Sequence, residues 1–311
     1  MGNLPPIPII CGPTASGKTG VAVTLAGTLP IEVVSADSRQ IIKHLDIGTA
    51  KPTPEECKAV EIHLVDIVDP GERYSAYRFI DDANRSIGAI LSRGNIPVVV
   101  GGTGLYLRAL SEGVVEIEGD NLSIRKRLEQ EIDRIGAQAM YERLEQIDPL
   151  EAARLHPNNK VRVIRALEIF ERTGKTRSEL AVTGAYHKSD YKFQHYCLAP
   201  LREKLYERIN GRVDEMMAEG WLDELTSLID NGRGEAIRKS NVIGYRELLD
   251  HIYGKYSLEE AIALIKQNTR RYAKRQMTWF RHQGECEFFE SRDKLVKILV
   301  EVLSLFPRTM L

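Results

Sequence analysis

Gly12-Pro13-Thr14-Ala15-Ser16-Gly17-Lys18-Thr19 is the stretch that decides how the rest of the chain is read. An apolar run, Ile7 to Cys11, precedes it and reads as a buried strand, and helical spacing from Lys18 to about Thr28 follows. Strand, glycine-rich turn and helix start, in that order, satisfy G-x-x-x-x-G-K-[ST], the phosphate-binding loop. The glycines let the backbone curl so that successive N–H groups point into one concavity. The helix N-terminus adds free N–H groups and partial positive charge. Lys18 supplies a full charge, and the Thr19 hydroxyl can ligate Mg²⁺. A diphosphate or triphosphate is the expected ligand of residues 12–19.

Outward from that loop, apolar runs alternate with helical spacing. Ile31 to Ser35 reads as a second strand, His63 to Ile67 as a third and Ile96 to Val100 as a fourth, with a helix over Tyr74–Leu91. Alternation of this kind predicts a parallel, doubly wound sheet. From Asn121 to about Arg177 the pattern is helical with almost no strand signal, and Val161 to Phe170 is strongly amphipathic. His195 to Leu198 returns to strand character. Helices follow at Glu203–Ala218, Leu222–Ile229, Val242–Ile252 and Leu258–Phe280, then a short tail, Asp293–Leu305. The expected fold is α/β: a P-loop NTPase-like parallel sheet flanked by helices, with an inserted all-helical domain. Residues 1–112 form the first part of the core, 113–195 the insertion, and 196–311 the return to the core.

Composition narrows the class of function. The chain has 311 residues, 43% of them apolar and 28% charged, which suits a soluble globular protein with one or two cores. Its net charge of −1 advertises no global field for nucleic acid, although a local basic stripe can do that work. Cys11, Cys57, Cys197 and Cys286 are far apart and form no C-x-x-C pair, so neither a zinc site nor a disulfide framework is expected. No apolar run reaches membrane-spanning length and no cationic leader is evident, so a cytoplasmic protein is expected.

Several residues could carry chemistry. Asp37, at the end of the second strand, can ligate Mg²⁺, accept a proton from a nucleophile, or cap the following turn. The best later strand ends in Gly101-Gly102, where P-loop kinases usually place an Asp for Mg²⁺, and the motif N-K-x-D is absent. Gly101-Gly102-Thr103-Gly104 is either a plain tight turn or a place of close backbone approach by a second substrate, with Thr103 supplying a hydroxyl. Between Lys266 and Arg281 lie Lys266, Arg270, Arg271, Lys274, Arg275 and Arg281, interleaved with Tyr272, Trp279 and Phe280. That run is either a solvated helix face or a surface for looped RNA. Arg125, Arg162 and Arg165 could form a second basic surface. Arg208 and Arg212 could reach a phosphate or pair with Glu203 and Glu215.

Seven collinear blocks together resemble the bacterial tRNA dimethylallyltransferases, also called tRNA isopentenyltransferases. They are GPTASGKT at 12–19, ADSRQ at 36–40, DIGTAKP at 46–52, GGTGLYL at 101–107, RVIRALEI at 162–169, VIGYREL at 242–248 and KRQMTWFR at 274–281. Small departures are Ile42, where the family often has tyrosine, Ile62, where it often has histidine, and Trp221, where leucine is usual. No C-terminal Cys/His zinc finger of the eukaryotic kind is evident. The resemblance implies transfer of a dimethylallyl group from dimethylallyl diphosphate to N6 of the adenosine 3′-adjacent to the tRNA anticodon, releasing diphosphate. It implies Mg²⁺ at Thr19 and a diphosphate cradle of Gly12, Pro13, Thr14, Ala15, Ser16, Gly17, Lys18 and Thr19, assisted by Arg212. Asp37 becomes the general base, with Lys18, Thr19 and Thr103 as further catalytic residues. Implied tRNA contacts are Asp37, Ser38, Arg39, Gln40, Thr103, Arg125, Val161, Arg162, Val163, Ile164 and Arg165, together with Tyr245, Arg246, Arg275, Gln276 and Arg281. The expected partners are tRNA and the prenyl diphosphate, with no membrane and a monomeric enzyme. The rival readings are a P-loop small-molecule kinase, an adenylate isopentenyltransferase acting on free AMP, ADP or ATP, and a non-catalytic RNA-binding module.

Overall fold

The computed structural model describes residues 4–115, 122–183, 186–282 and 286–306. The chain divides into two compact units, one made of Met1–Glu112 with Ser189–Leu311 and the other of Gly113–Lys188.

The first unit begins β1 (Ile7–Cys11), α1 (Lys18–Ala26), β2 (Ile31–Ser35), α2 (Pro54–Ala59), β3 (Ile62–His63), α3 (Ala76–Ser92), β4 (Ile96–Gly101) and α4 (Gly104–Glu112). The second unit holds β5 (Val114–Val115), α5 (Leu122–Ile135), α6 (Ala137–Ile147), α7 (Pro149–Ala152), α8 (Lys160–Thr173), α9 (Arg177–Val182) and β6 (Tyr186–His187). The first unit resumes with β7 (Phe193–Leu198), α10 (Arg202–Ala218), α11 (Trp221–Asp230), α12 (Gly234–Ser240), α13 (Tyr245–Ile252), α14 (Leu258–His282), β8 (Cys286–Phe289) and α15 (Arg292–Leu303).

Six strands form one sheet in the order β3-β2-β4-β1-β7-β8, and every pairing is parallel. Every residue of β1, β2 and β4 is buried, which is why IPIIC, IEVVS and IPVVVG read as unbroken runs rather than alternating ones. Helices cover the sheet: α3 packs on β2 and β4, and α15 packs on α1, β7 and β8. On α3, Phe79, Ile80, Ala83, Ile87 and Ile90 make the buried stripe, and the Ser75 hydroxyl caps its start by accepting the Arg78 N–H. The chain steps from β1 past β4 to β2, goes out to the edge strand β3, returns to β4, and later crosses to β7. The strand order therefore reverses beside β1, and the crevice at the carboxyl ends of β1 and β4 is where an open sheet takes its ligand.

A second core in the same unit gathers Leu45, Val213, Trp221, Leu225, Tyr245, Leu248 and Ile265 from α10, α11, α13, α14 and the loop after β2. The second unit has its own core of Leu128, Ile132, Met140, Leu144, Val163 and Leu167, where α5, α6 and α8 pack on one another.

Four expectations need correction. The third strand is Ile62–His63 rather than His63–Ile67, because Leu64 and Asp66 turn through left-handed backbone, φ 64° and 57°. Ile67 instead donates its N–H to the Ile41 carbonyl. The sheet resumes before residue 196, since Phe193 already pairs with Ile7. The second unit is not purely helical, for Val114 and Val115 pair antiparallel with His187 and Tyr186. The closing tail is the helix α15, held through Leu295, Leu299 and Leu303. The strand β8 had no counterpart in the sequence reading.

Candidate active site

The loop between β1 and α1 is wound through left-handed backbone at Gly12 (φ 144°), Ala15 (φ 60°) and Gly17 (φ 99°). That winding turns successive N–H groups to one side, the geometry of an anion nest. Gly12 also has a packing reason, because a Cβ there would collide with the Leu198 carbonyl at the end of β7. The Lys18 ammonium donates to the carbonyls of Gly12 at 3.0 Å and Pro13 at 2.7 Å, which folds it over the loop. Two later helices brace the loop from outside. Arg208 on α10 donates to the Ser16 carbonyl at 3.3 Å, and the Gln276 carboxamide oxygen on α14 accepts the Thr14 N–H at 2.9 Å.

The loop after β2 carries Asp37, half-buried, whose Oδ1 accepts the Arg39 N–H at 2.9 Å. Thr103, after β4, accepts the Ser38 N–H at 2.9 Å and donates to the Ser38 hydroxyl at 3.2 Å. The two strand ends approach so closely that a Cβ on Gly101 would meet the Ala36 backbone. Gly101-Gly102-Thr103-Gly104 is packed closely by the protein itself. Its neighbours are the Asp37 loop, the Gln276 side chain and Trp279.

Lys18, Thr19, Asp37, Arg39, Arg212 and Tyr272 line one cavity of about 620 Å³. Its electrostatics follow from burial. Removal from water pushes Lys18 down to about 8, opposed by the Asp37 carboxylate and reinforced by Arg212. Burial also lowers Arg212, against the pull of Glu56, Glu215 and Asp37. Burial and then the Asp37 charge push the Tyr272 phenol up to about 12, so it stays protonated. Two desolvated cations facing one carboxylate form a cradle that an anion of two or more charges relieves. Apolar side chains line the same cavity: Ile209, Val213, Met216, Trp221, Val242 and Ile265. The Trp221 ring lies against Gly48 and Gly244, and a Cβ on either would clash with it. The cavity thus offers a phosphate-binding end and a hydrocarbon wall.

The fourth strand does end in glycine rather than Asp, at Gly101 beside Cys11. The oxygen donors near the loop are the Thr19 hydroxyl and the Asp37 and Glu56 carboxylates. Such a sparse hard-oxygen set fits Mg²⁺ completed by phosphate oxygens and water.

The remaining residues fall into distinct places. Arg275 and Arg281 are exposed on α14, and the Arg275 guanidinium lies 5.7 Å from the Tyr272 ring centroid. Arg271, Lys274, Arg275, Thr278, Trp279 and His282 line a second hollow of about 600 Å³ on that helix, and Arg108 stacks over Trp279 at 5.2 Å. Lys266 and Arg270 are tied instead to α10, through Asp214 and Asn210. In the second unit, Val161, Arg162 and Arg165 are exposed. Arg125 pairs with Glu129 at 3.0 Å and Arg165 with Glu168 at 2.9 Å.

Four residues expected as contacts are buried. Val163 and Ile164 are buried in the second unit, on the inward face of α8. Tyr245 is fully buried, its hydroxyl donating to Glu224 at 2.5 Å and accepting the Gly48 N–H at 3.1 Å. Gln276 is buried with both ends of its amide engaged, Nε2 donating to the Gly102 carbonyl at 2.8 Å. Gln40 is similarly occupied, donating to Ala50 at 2.7 Å and accepting from Ser35 at 3.3 Å. Arg246 is exposed but paired with the buried Glu247 at 2.6 Å. The sequence reading missed the apolar wall and Asn268 and Thr269. Ile265, Asn268, Thr269, Tyr272 and Gln276 recur at helical spacing, so one stripe of α14 faces the cavity, a signal the charge count obscured.

A family model described as IPP transferase matches residues 40–283, and one described as isopentenyl transferase matches residues 5–67. The chain is 48% identical over 303 residues to tRNA dimethylallyltransferase 1 of Pelobacter propionicus, covering 97% of this chain and 98% of that one. It is 45% identical over 295 residues to tRNA dimethylallyltransferase 1 of Syntrophotalea carbinolica, covering 95% and 94%. Among solved structures, the tRNA isopentenylpyrophosphate transferase of Bacillus halodurans superposes with a TM-score of 0.66 at 40% identity, covering 96% and 97%. A eukaryotic dimethylallyltransferase acting on tRNA superposes with a TM-score of 0.80 at 29% identity, covering 97% of this chain and 80% of that one.

Proposed function

The chain belongs to the tRNA dimethylallyltransferase family, and from that premise we propose that it moves a dimethylallyl group from dimethylallyl diphosphate to N6 of the adenosine 3′-adjacent to the anticodon. The observation that carries this reading is one cavity that holds a phosphate nest, two desolvated cations, a carboxylate and an apolar wall. The diphosphate lies in the loop of residues 12–17, with Lys18 and Arg212 against its oxygens. The five-carbon group lies toward the apolar wall. The Thr19 hydroxyl would hold Mg²⁺, which would supply neutralisation of the leaving group's charge.

In the reaction the C1–O bond to diphosphate breaks and the C1–N6 bond forms. Charge grows on the departing oxygen as the bond lengthens, and the free loop N–H groups, Arg212 and Lys18, which exchanges its bonds to the Gly12 and Pro13 carbonyls for phosphate oxygens, neutralise it. Allylic carbon tolerates positive character, so leaving-group stabilisation lowers much of the barrier. The exocyclic amine is a weak nucleophile, and the proton it loses goes to Asp37, a contribution of about 10²–10⁴-fold. The Arg39 N–H on Oδ1 fixes the carboxylate's orientation and leaves Oδ2 for the proton. The adenine must leave the anticodon stack to reach this site. The exposed basic residues of α14, Arg271, Lys274, Arg275 and Arg281, with the half-buried Trp279 beside them, form the surface that receives the RNA. Arg125, Val161, Arg162 and Arg165 offer a second contact surface on the inserted unit. Among the described residues no helix is long and apolar enough to cross a membrane. A tRNA acceptor fits a cytoplasmic enzyme.

Incubation with labelled dimethylallyl diphosphate and Mg²⁺, with tRNA and AMP as separate acceptors, tests the reading. Label enters tRNA alone. Label in AMP, or phosphoryl transfer from ATP, overturns it.

A further inference from the structure

Cys11, Cys197 and Cys286 are separated by most of the chain, yet their sulfurs all lie within 4.8 Å of one another. Cys11 ends β1 and Cys197 is its register partner on β7. Cys286 opens β8 opposite His195, which shares a strand face with Cys197 two residues on. All three side chains therefore project from one side of the sheet, and the Sγ atoms of Cys11 and Cys286 are 3.6 Å apart. Cys11 and Cys197 are fully buried, while Cys286 is partly exposed and opens the trio to solvent.

A disulfide does not explain this convergence. β7 runs between β1 and β8, so the Cα atoms of Cys11 and Cys286 are about two strand spacings apart, on the order of 9 Å. A disulfide needs them within about 6.8 Å. Sulfurs that meet while their backbones stand apart match ligands around a central ion. At a metal–sulfur distance of about 2.3 Å, tetrahedral geometry puts neighbouring sulfurs about 3.8 Å apart. Cys11 and Cys286 already meet that spacing, and Cys197 needs a shift of at most about 1 Å.

We propose that Cys11, Cys197 and Cys286 form a binding site for one thiophilic d¹⁰ cation of the zinc class, clamping β1, β7 and β8 beneath the phosphate loop. Three thiols release three protons to solvent as three metal–sulfur bonds form. With Zn²⁺ the site then carries one net negative charge, and the Lys18 ammonium lies within electrostatic reach of Cys11 and Cys197. Soft thiolates select zinc-class ions over Mg²⁺, so the site does not compete with the ion at Thr19. The clamp acts on the loop directly, because Gly12 follows Cys11 and lies against the Leu198 carbonyl next to Cys197.

The test uses the full-length reduced protein, stripped with a chelator and titrated with Co²⁺. Thiolate-to-cobalt charge transfer saturates at one ion per chain, and Zn²⁺ displaces it. The band persists in Cys57→Ser, which alters an exposed cysteine outside the trio, and is lost in both Cys286→Ser and Cys197→Ser. Circular dichroism confirms that each variant is folded, and the wild-type titration stands even where a variant is not. No band in the wild type, or a band that survives both substitutions, overturns the site. So does stripped wild-type protein that mild peroxide converts to a Cys11–Cys197 disulfide while it binds no cobalt.

Discussion

Gln276, near the end of α14, accepts the backbone N–H of Thr14 at 2.9 Å and so ties the phosphate loop to a helix 262 residues further along the chain. The other end of the same amide donates to the Gly102 carbonyl, which joins the ends of β1 and β4 through one side chain. Gln276→Ala leaves the buried Gly102 carbonyl and the half-buried Thr14 N–H without this partner, the buried group costing about 1–3 kcal/mol and the other less. We expect a fall in melting temperature and a rise of about 10–100-fold in KM for the prenyl diphosphate, with KM for tRNA within several-fold of wild type. A rise confined to the tRNA KM would instead make Gln276 a direct tRNA contact.

Asp37→Asn separates charge from geometry, since the amide oxygen still accepts the Arg39 N–H. If Asp37 takes the proton, single-turnover transfer slows by about 10²–10⁴-fold. Affinity for tRNA, read by filter binding, stays within several-fold. Unchanged transfer removes Asp37 from the role of base.

How much of this was legible in the sequence depends on the kind of force involved. The loop at 12–19 and the strands of β1 and β2 were readable because local pattern alone specifies them: unbroken apolar runs, then glycines at fixed offsets. β3 was misread because HLVDI has strand composition, while its course is set by tertiary bonds from Asp66 and Ile67 to the loop after β2. Tyr245 and Gln276 lie in motifs shared with the family, yet a shared motif does not say whether a residue touches substrate or holds the site. Both turned out to hold backbone, at Gly48 and at Thr14 and Gly102. The cysteine trio was illegible, because its members are neighbours only through strand order.

Lys18 titrates where binding can be followed. Held at about 8 by burial, its ammonium is lost from the free protein as pH rises through that value. A bound diphosphate favours the charged form, so binding takes up a proton above about pH 8 and none well below it. Calorimetry in buffers of different ionisation enthalpy reads that uptake, and Lys18→Gln abolishes it. The same shift has a stability sign. The unfolded chain holds this proton up to its ordinary 10.5 while the folded one releases it near 8. This group's contribution therefore rises between those pH values.

Glu32, buried in β2, behaves in the opposite sense. Burial alone raises a carboxyl, yet Arg93, Asn95 and His63 bond to it and hold it down to about 2. Its stabilisation is present above the unfolded value of 4.5 and is lost as pH falls toward 2. Glu32→Gln flattens that acid limb in urea titrations. Arg93→Ala removes one of the donors that hold the carboxyl down, so the acid midpoint moves to higher pH, by a modest amount because the guanidinium is exposed to solvent. An unaltered acid limb in Glu32→Gln would place the acid sensitivity elsewhere.

The basic residues of α14 divide into two groups that one measurement separates. Lys274 and Arg275 are exposed beside the second hollow, whereas Lys266 is engaged with Asp214 on α10. A cation that neutralises a phosphate releases a condensed counterion, which appears as a slope of log affinity against log salt. Lys274→Ala and Arg275→Ala should each weaken tRNA binding and reduce that slope by about 0.7–0.9. Lys266→Ala should leave the slope unchanged and act on stability alone, because its charge is already satisfied within the protein. Equal slopes for all three variants would move the RNA surface off this helix face. A slope reduced only by Lys266→Ala would mean that the Asp214 pair opens to receive the RNA.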